Sequence, residues 1–422
     1  MSVLNTTPNF YFWWNQFPSP LRIIAKIRLL ASIGAGGVIY LTPLVFNQIA
    51  LSATQIGSGL AIAAFVGTLS RLITGGLLDR GVYSSLTIKW AAIVAIASDF
   101  FLFNAQNFNA FVVGQIVLGI AAGIYWPGVE LAVPASCGKF PSSKGFALVR
   151  SADALGTSIG ALLGSLAALI SAIRMVYLLD TCCMILLLLL LTKNSQKDKR
   201  AEAIKELEQS QLINKENFAD KEGKWLHQLF PILVLSLLAT AIFTLLQSAL
   251  PLDLVKGGIS RPPVSEAQSG AILALQLCLL VLFQWPIGRW LSEKSKKFSL
   301  RISFSCFAFG CLLLGLSAIF TKGIILVLIS QLPLAFALAA FLPTATEAVI
   351  QTPPIDHRGI AMALFSQCFA ISALIAPILS GLIIDMQGNG ILVWLTMSIA
   401  CLIMLPLTKK VKTKSINNYF EA

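Results

Sequence analysis

Asp153 stands three residues after Arg150 inside the apolar run Phe146–Ile170, so two ionisable groups occupy a stretch where burying either is costly. A spacing of three puts both on one face of a helix. About two turns into the run, the Asp153 carboxyl could accept a proton or hold a polar substrate. Asp99 and Asp180 lie nearer the ends of two other apolar runs. Uncharged candidates are Gln115, Gln247, Gln276, Gln284, Gln331 and Gln367, with Trp126 as an aromatic platform. Such side chains could line a cavity for a polar solute. The same amides could instead bond one helix to the next.

An enzymatic reading has one foothold, Gly156-Thr157-Ser158-Ile159-Gly160, which fits the G-x-S-x-G nucleophile pattern. A serine nucleophile needs a base beside it. The two histidines, His227 and His357, fall at the ends of other segments. No H-E-x-x-H or P-loop sequence occurs. The eight cysteines form no CxxC pair and sit almost entirely in apolar segments, against a zinc site or a disulfide framework. No catalytic residue, metal site or cofactor is expected.

The elements that must position these residues are long apolar runs. In chain order they are Ile24–Phe46, Ile56–Leu78, Leu86–Phe103, Phe111–Pro134, Phe146–Ile170 and Met175–Leu191. A polar stretch from Lys193 to Lys224 follows, within which Ala201–Glu208 reads as a short exposed helix or as charged linker. Then come Leu229–Leu250, Ala267–Leu291, Ile302–Phe320, Ile324–Ile350, Ile360–Ile384 and Ile391–Leu407. Each is near the roughly 20 residues that cross a hydrocarbon core. With 56% hydrophobic and 12% charged residues, the chain cannot cover a water-facing surface. The expected fold is an all-α membrane protein of about twelve transmembrane helices in two six-helix bundles. Residues 1–192 form the first bundle, 193–224 the linker and 225–422 the second. Phe10–Trp14 reads as an interfacial anchor rather than a cleavable signal.

The net charge of +12 does not indicate nucleic acid, because basic and aromatic residues are not interleaved. It follows the positive-inside rule instead. With both termini and the linker inside, Arg22, Lys26, Arg28, Arg80, Lys89, Lys139, Lys144, the linker cations, Arg289, Lys294, Lys296, Lys297, Arg301, Arg358 and the C-terminal lysines share the cytoplasmic side. The opposite side keeps Arg174, Lys256, Arg261 and Lys322.

The two halves also echo each other. Tyr125-Trp126-Pro127-Gly128-Val129-Glu130 ends the fourth run and Phe341-Leu342-Pro343-Thr344-Ala345-Thr346-Glu347 the tenth. The pairs Lys144-Gly145 and Arg358-Gly359 follow. At the end of the second run, Gly75-Gly76-Leu77-Leu78-Asp79-Arg80-Gly81 resembles the signature of the major facilitator superfamily between helices two and three. Val82, Tyr83 and Ser84 replace the rest of that consensus, and Gly288-Arg289-Trp290-Leu291-Ser292-Glu293-Lys294 is a more degenerate copy.

The resemblance implies a secondary transporter in a bilayer, working by alternating access on a small organic solute, and a monomer. It assigns a cytoplasmic gate: Gly75 for close helix contact, Asp79 with Arg80, Glu130 paired with Arg80 or Arg150, and Glu347 paired with Arg289 or Arg358. Permanent structural pairs or solvated helix ends are the other reading. An acidic end to the fourth helix, an Arg in the fifth and a cavity-facing Trp are similar to proton-coupled sugar permeases. Uptake of a small polar solute, a sugar first, driven by protons or another cation or by the solute gradient alone, is therefore expected at the plasma (inner) membrane. The fifth run lacks the Gly-Pro pair of many drug–proton antiporters, having Gly160-Ala161, and the first run lacks a buried acid. Export of drugs or metabolites is the runner-up.

Overall fold

The computed structural model describes residues 14–138, 140, 142–193, 224–292, 294–354 and 358–411. The expected linker and most of the aromatic N-terminal cluster lie outside them. The described residues form helices α1 (Ser19–Gln48), α2 (Ala53–Asp79), α3 (Ser84–Asn104), α4 (Phe108–Cys137), α5 (Ser142–Leu169) and α6 (Met175–Lys193). They continue as α7 (Lys224–Lys256), α8 (Glu266–Ser292), α9 (Lys296–Ser317), α10 (Gly323–Gln351), α11 (Arg358–Gln387) and α12 (Ile391–Met404), which ends in a 3-10 turn, Leu405–Lys410. Twelve helices are long and apolar enough to cross a membrane. Each expected run became one helix, because a segment of this length in lipid must satisfy its backbone internally.

Polar residues between the runs define the helix ends. Ser52 and Gln55 form a reciprocal capping box at α2 (3.0 and 3.1 Å), and Asn107 and Ser295 cap α4 and α9. Prolines inside α4 (Pro127, Pro134) and α10 (Pro333, Pro343) fall in the corresponding helices of the two halves.

In the first half α1 packs on α5 and α6, α3 on α4 and α6, and α2 on α4. In the second, α7 packs on α11, α9 on α10 and α12, and α8 on α10. Across the halves α2 meets α11, α5 meets α8 and α1 meets α7. The α1–α5 contact is a glycine seam. A Cβ at Gly156 would strike the Leu29 carbonyl and Ser32, and one at Gly160 would strike the Ile33 carbonyl and Gly37. Only the bare backbone lets the helices approach this closely.

The cross-half side-chain bonds seen among the described residues lie towards the end remote from residues 193 and 224. There Asp385 of α11 accepts from the Ala53 and Thr54 amides at the start of α2 (3.0 and 2.7 Å) and pairs with Lys256 (2.9 Å). Gln48 donates to Glu266 (2.5 Å) and Gln247 to Tyr40 (3.2 Å). One apolar core joins both halves at this remote end, through Leu41, Phe46, Ala249 and Ile272 among others. Towards the linker side the first half has its own core, around Leu21, Ala25, Val133 and Leu187. The described halves are therefore clasped at the remote end and parted at the linker end.

Candidate functional site: a charged pair in the first half

The glycine seam determines what meets Asp153. Ala25, Arg28, Ser32 and Gly36 recur at helical spacing on α1, and Asp153, Gly156 and Gly160 do so on α5. Closing the seam drives Arg28 and Ser32 onto the carboxylate. Arg28 Nη2 lies 2.8 Å from Asp153 Oδ1, and Ser32 Oγ donates to the same oxygen at 2.5 Å. The guanidinium sits 3.9 Å from the Trp126 ring centroid and 5.4 Å from that of Tyr125, both on α4. A cation held between a carboxylate and an aromatic face is stabilised from both sides.

Exposure gives this pair its chemical character. The Arg28 side chain is 6% exposed, whereas that of Asp153 is 34% exposed. Both bonds reach Oδ1. The carboxylate is therefore partly open on one side, while the Arg28–Trp126 stack is buried behind it.

Arg28 was the residue the sequence hid. It follows Arg22 and Lys26 and reads as one more cytoplasmic cation, yet it is buried. Arg150, set on the same helix face by its spacing, is exposed and makes no ion pair with Asp153 among the described residues. The neighbouring helix, brought close by the glycines, supplies the cation instead. The matched spacing of Arg28, Ser32 and Gly36 with Asp153, Gly156 and Gly160 was the signal available.

Trp126 is in the cluster, and the glutamines divide. Gln115, Gln276 and Gln331 are buried at 1%, 4% and 0%, with Gln331 donating to the Val327 carbonyl and to Ser330, so they sit within helix packing and line no open cavity. Gln247 joins the halves through Tyr40 at the clasped end. Gln284 is half-buried and Gln367 exposed. Counted from the two basic-glycine pairs, Gln367 holds in α11 the place of Asp153 in α5. The charged member of the repeat is in the first half only.

At the linker end lie the residues expected to form a gate. Glu130 is exposed and pairs with neither Arg80 nor Arg150 among the described residues; Arg71, on α2, lies within its electrostatic range. Glu347 pairs with Lys296 at the start of α9 and accepts from Gln351 (2.8 Å). A Cβ at Gly75 would meet nothing within 4 Å, so that glycine makes no close helix contact here. The side chains of Asp79, Arg289 and Arg358 lie outside the described ones.

A second ion pair occupies the opposite end of the second half. A turn at Gly257 (φ +84°) folds Arg261 back under α7. Arg261 Nη2 lies 3.2 Å from Asp253 Oδ2 and also donates to the Asp253 carbonyl (2.8 Å), and Nη1 donates to Ser317 (2.6 Å). Trp394 Nε1 and the Gly390 amide complete Asp253 at 3.0 and 2.8 Å. With Lys256 on Asp385 and Arg174 on the Phe103 and Ala105 carbonyls (2.6 and 2.9 Å), much of the positive charge at this end is held in fixed bonds.

The family model of the major facilitator superfamily matches residues 25–260 and again residues 232–418. No curated protein matches the chain in sequence. Among solved structures, the nucleoside transporter NupG superposes with a TM-score of 0.73 at 13% identity, over 94% of this chain and 100% of that one. A POT family transporter in complex with a thioalcohol-conjugated peptide gives 0.76 at 14% identity, over 95% and 100%. The peptide transporter POT in complex with sulfate gives 0.72 at 15% identity, over 94% and 96%. At these identities the likeness is one of fold.

Proposed function

The chain belongs to the major facilitator superfamily, and from that premise we propose that it takes up a small polar organic solute by alternating access, with Asp153 and Arg28 at the centre of the solute site. The observation that carries this reading is the uneven exposure of the pair. A carboxylate open on one side and anchored on the other can bind a hydroxyl or ammonium group, or take a proton, without losing its place. The Trp126 face beside it suits the apolar side of a sugar ring, so sugars remain the first candidates. Coupling is to protons, with export of drugs or metabolites as the competing direction.

We place both termini and the linker in the cytoplasm of a plasma (inner) membrane, with residues 1–192 and 225–422 as the two moving bundles. The basic residues near the parted end support that orientation. In it, the described conformation is closed outside and open inside, and the cycle returns by unclasping Asp385 from α2 while Glu130 and Glu347 close the inner mouth.

The test is accumulation of labelled sugars, nucleosides, dipeptides and organic acids in cells expressing the protein, with and without a protonophore. Accumulation abolished by the protonophore is expected. No accumulation of any of them, together with gained resistance to lipophilic cations, would overturn uptake in favour of export.

A further inference from the structure

A second acidic group, unused by the site above, lies inside the first half. Asp99 near the remote end of α3 and Asp180 in the first turns of α6 are 1% and 2% exposed. The two carboxyls are electrostatic neighbours, and the residue after Asp180 bonds Asp99. Thr181 Oγ1 donates to Asp99 Oδ2 at 3.0 Å, and Oδ1 of each aspartate has no donor among the described residues. Neither aspartate belongs to an ion pair there. Gly34 of α1 presses directly on Asp180, where a side chain would collide with the Asp180 backbone and carboxyl.

Among the described residues no cation pairs with either aspartate to balance two negative charges. From α6 the titratable neighbours are Tyr177, which bonds Thr42 (3.0 Å), and Cys183; from α4, Tyr125 lies in electrostatic range of Asp180. Arg174 is committed to the carbonyls that end α3. One further polar group points the same way. Ser98 of α3 donates to the Gly114 carbonyl of α4 (3.1 Å). The next residue on each of these antiparallel helices turns to the same side of that contact, which carries Gln115 towards the side bearing Asp99. Gln115 is 1% exposed, and both its amide atoms lack a partner.

Two neighbouring ionised carboxylates at this burial repel each other and lack solvation. A proton shared between them converts the repulsion into a charge-assisted O–H···O⁻ bond. We infer that Asp99 and Asp180 form a proton-binding carboxyl pair, distinct from Asp153. Proceeding from the transporter reading, the pair is the coupling site of the first half. Tyr125, in electrostatic range of Asp180 and beside Arg28, links the pair to the solute site. Loss of the proton, which leaves as a hydronium ion with no change in covalent bonding elsewhere, places a new negative charge behind that linkage.

The pair is tested by infrared spectroscopy on the full-length protein reconstituted in vesicles, where a protonated carboxyl gives a C=O stretch that a carboxylate lacks. The expected result is such a band at neutral pH, downshifted in D₂O, retained in Asp153→Asn and lost in Asp99→Asn/Asp180→Asn. Absence of the band in the wild type, or its survival in the double variant, would overturn the assignment. Bleaching of the band by sodium at constant pH would also overturn it, by making the pair a sodium site. Because Asn substitution could disturb folding, each variant is also checked by its melting midpoint, and Asp99→Glu must keep the band if the proton assignment holds. The spectroscopic result stands whether or not any solute is accumulated, so failure of the transport reading and failure of the pair are told apart.

Discussion

Arg28–Asp153 and Arg261–Asp253 are both arginine–aspartate pairs inside the helix bundle, and they differ in what remains unsatisfied. In the second pair both side chains are sealed, at 0% and 1% exposure, and Ser317, Trp394, the Gly390 amide and a backbone carbonyl add further bonds, with Arg261 Nε alone lacking a partner among the described residues. In the first, Asp153 is 34% exposed and its two bonds reach one oxygen. A sealed, many-bonded pair holds elements together; a half-exposed one can exchange partners. The difference separates a structural device at the clasped end of the second half from a chemical one within the first.

The largest effect is expected from breaking the sealed pair. Asp253→Asn or Arg261→Met leaves one buried charge alone, at a cost on the order of 3–5 kcal/mol. Thermal unfolding in detergent should show it as the deepest fall in midpoint among these variants, partly restored in the double substitution. Next comes the seam that builds the exposed pair. Gly160→Val puts a branched side chain against the Ile33 carbonyl and Gly37, so α1 must move off α5. Reduced stability and loss of transport together are expected, with proteoliposome uptake and unfolding read on the same sample.

Asp153→Asn sharpens the comparison. It should lower gradient-driven accumulation at least about tenfold, the loss of roughly 1.4 kcal/mol of differential binding, while its unfolding midpoint falls by less than half as much as that of Asp253→Asn. Equal midpoint losses would erase the distinction between the pairs. The smallest effect belongs to the clasp. Lys256→Met removes a partly exposed cation worth about 1 kcal/mol or less, leaving the amides of α2 on Asp385. The expected readout is a modest rise in labelling of Ser52→Cys from the remote side, in a background lacking the native cysteines.

The twelve helices were legible because length and apolarity leave a lipid-embedded chain few alternatives, and the duplication because Pro127–Glu130 and Pro343–Glu347 repeat at matching places. Asp153 and Trp126 were legible as polar or aromatic groups at depth. Arg28 was not, since a cation within three turns of a helix start is ordinary in sequence and its burial depends on glycines more than 120 residues away. The partners of Glu347 were not legible either, because Lys296 reaches it from another helix of the same half and the packing of α9 on α10 sets that approach. Asp99 and Asp180 were each visible, but their approach arises from the packing of α3 on α6, which no local pattern records.

The most direct test of the central distinction is the reactivity of position 153. In a background lacking the native cysteines, Asp153→Cys is exposed in inside-out vesicles to a membrane-impermeant thiol reagent. The account predicts rapid labelling that slows when a transported solute is present. A folded Asp153→Cys protein that resists the reagent as a sealed side chain does would contradict it.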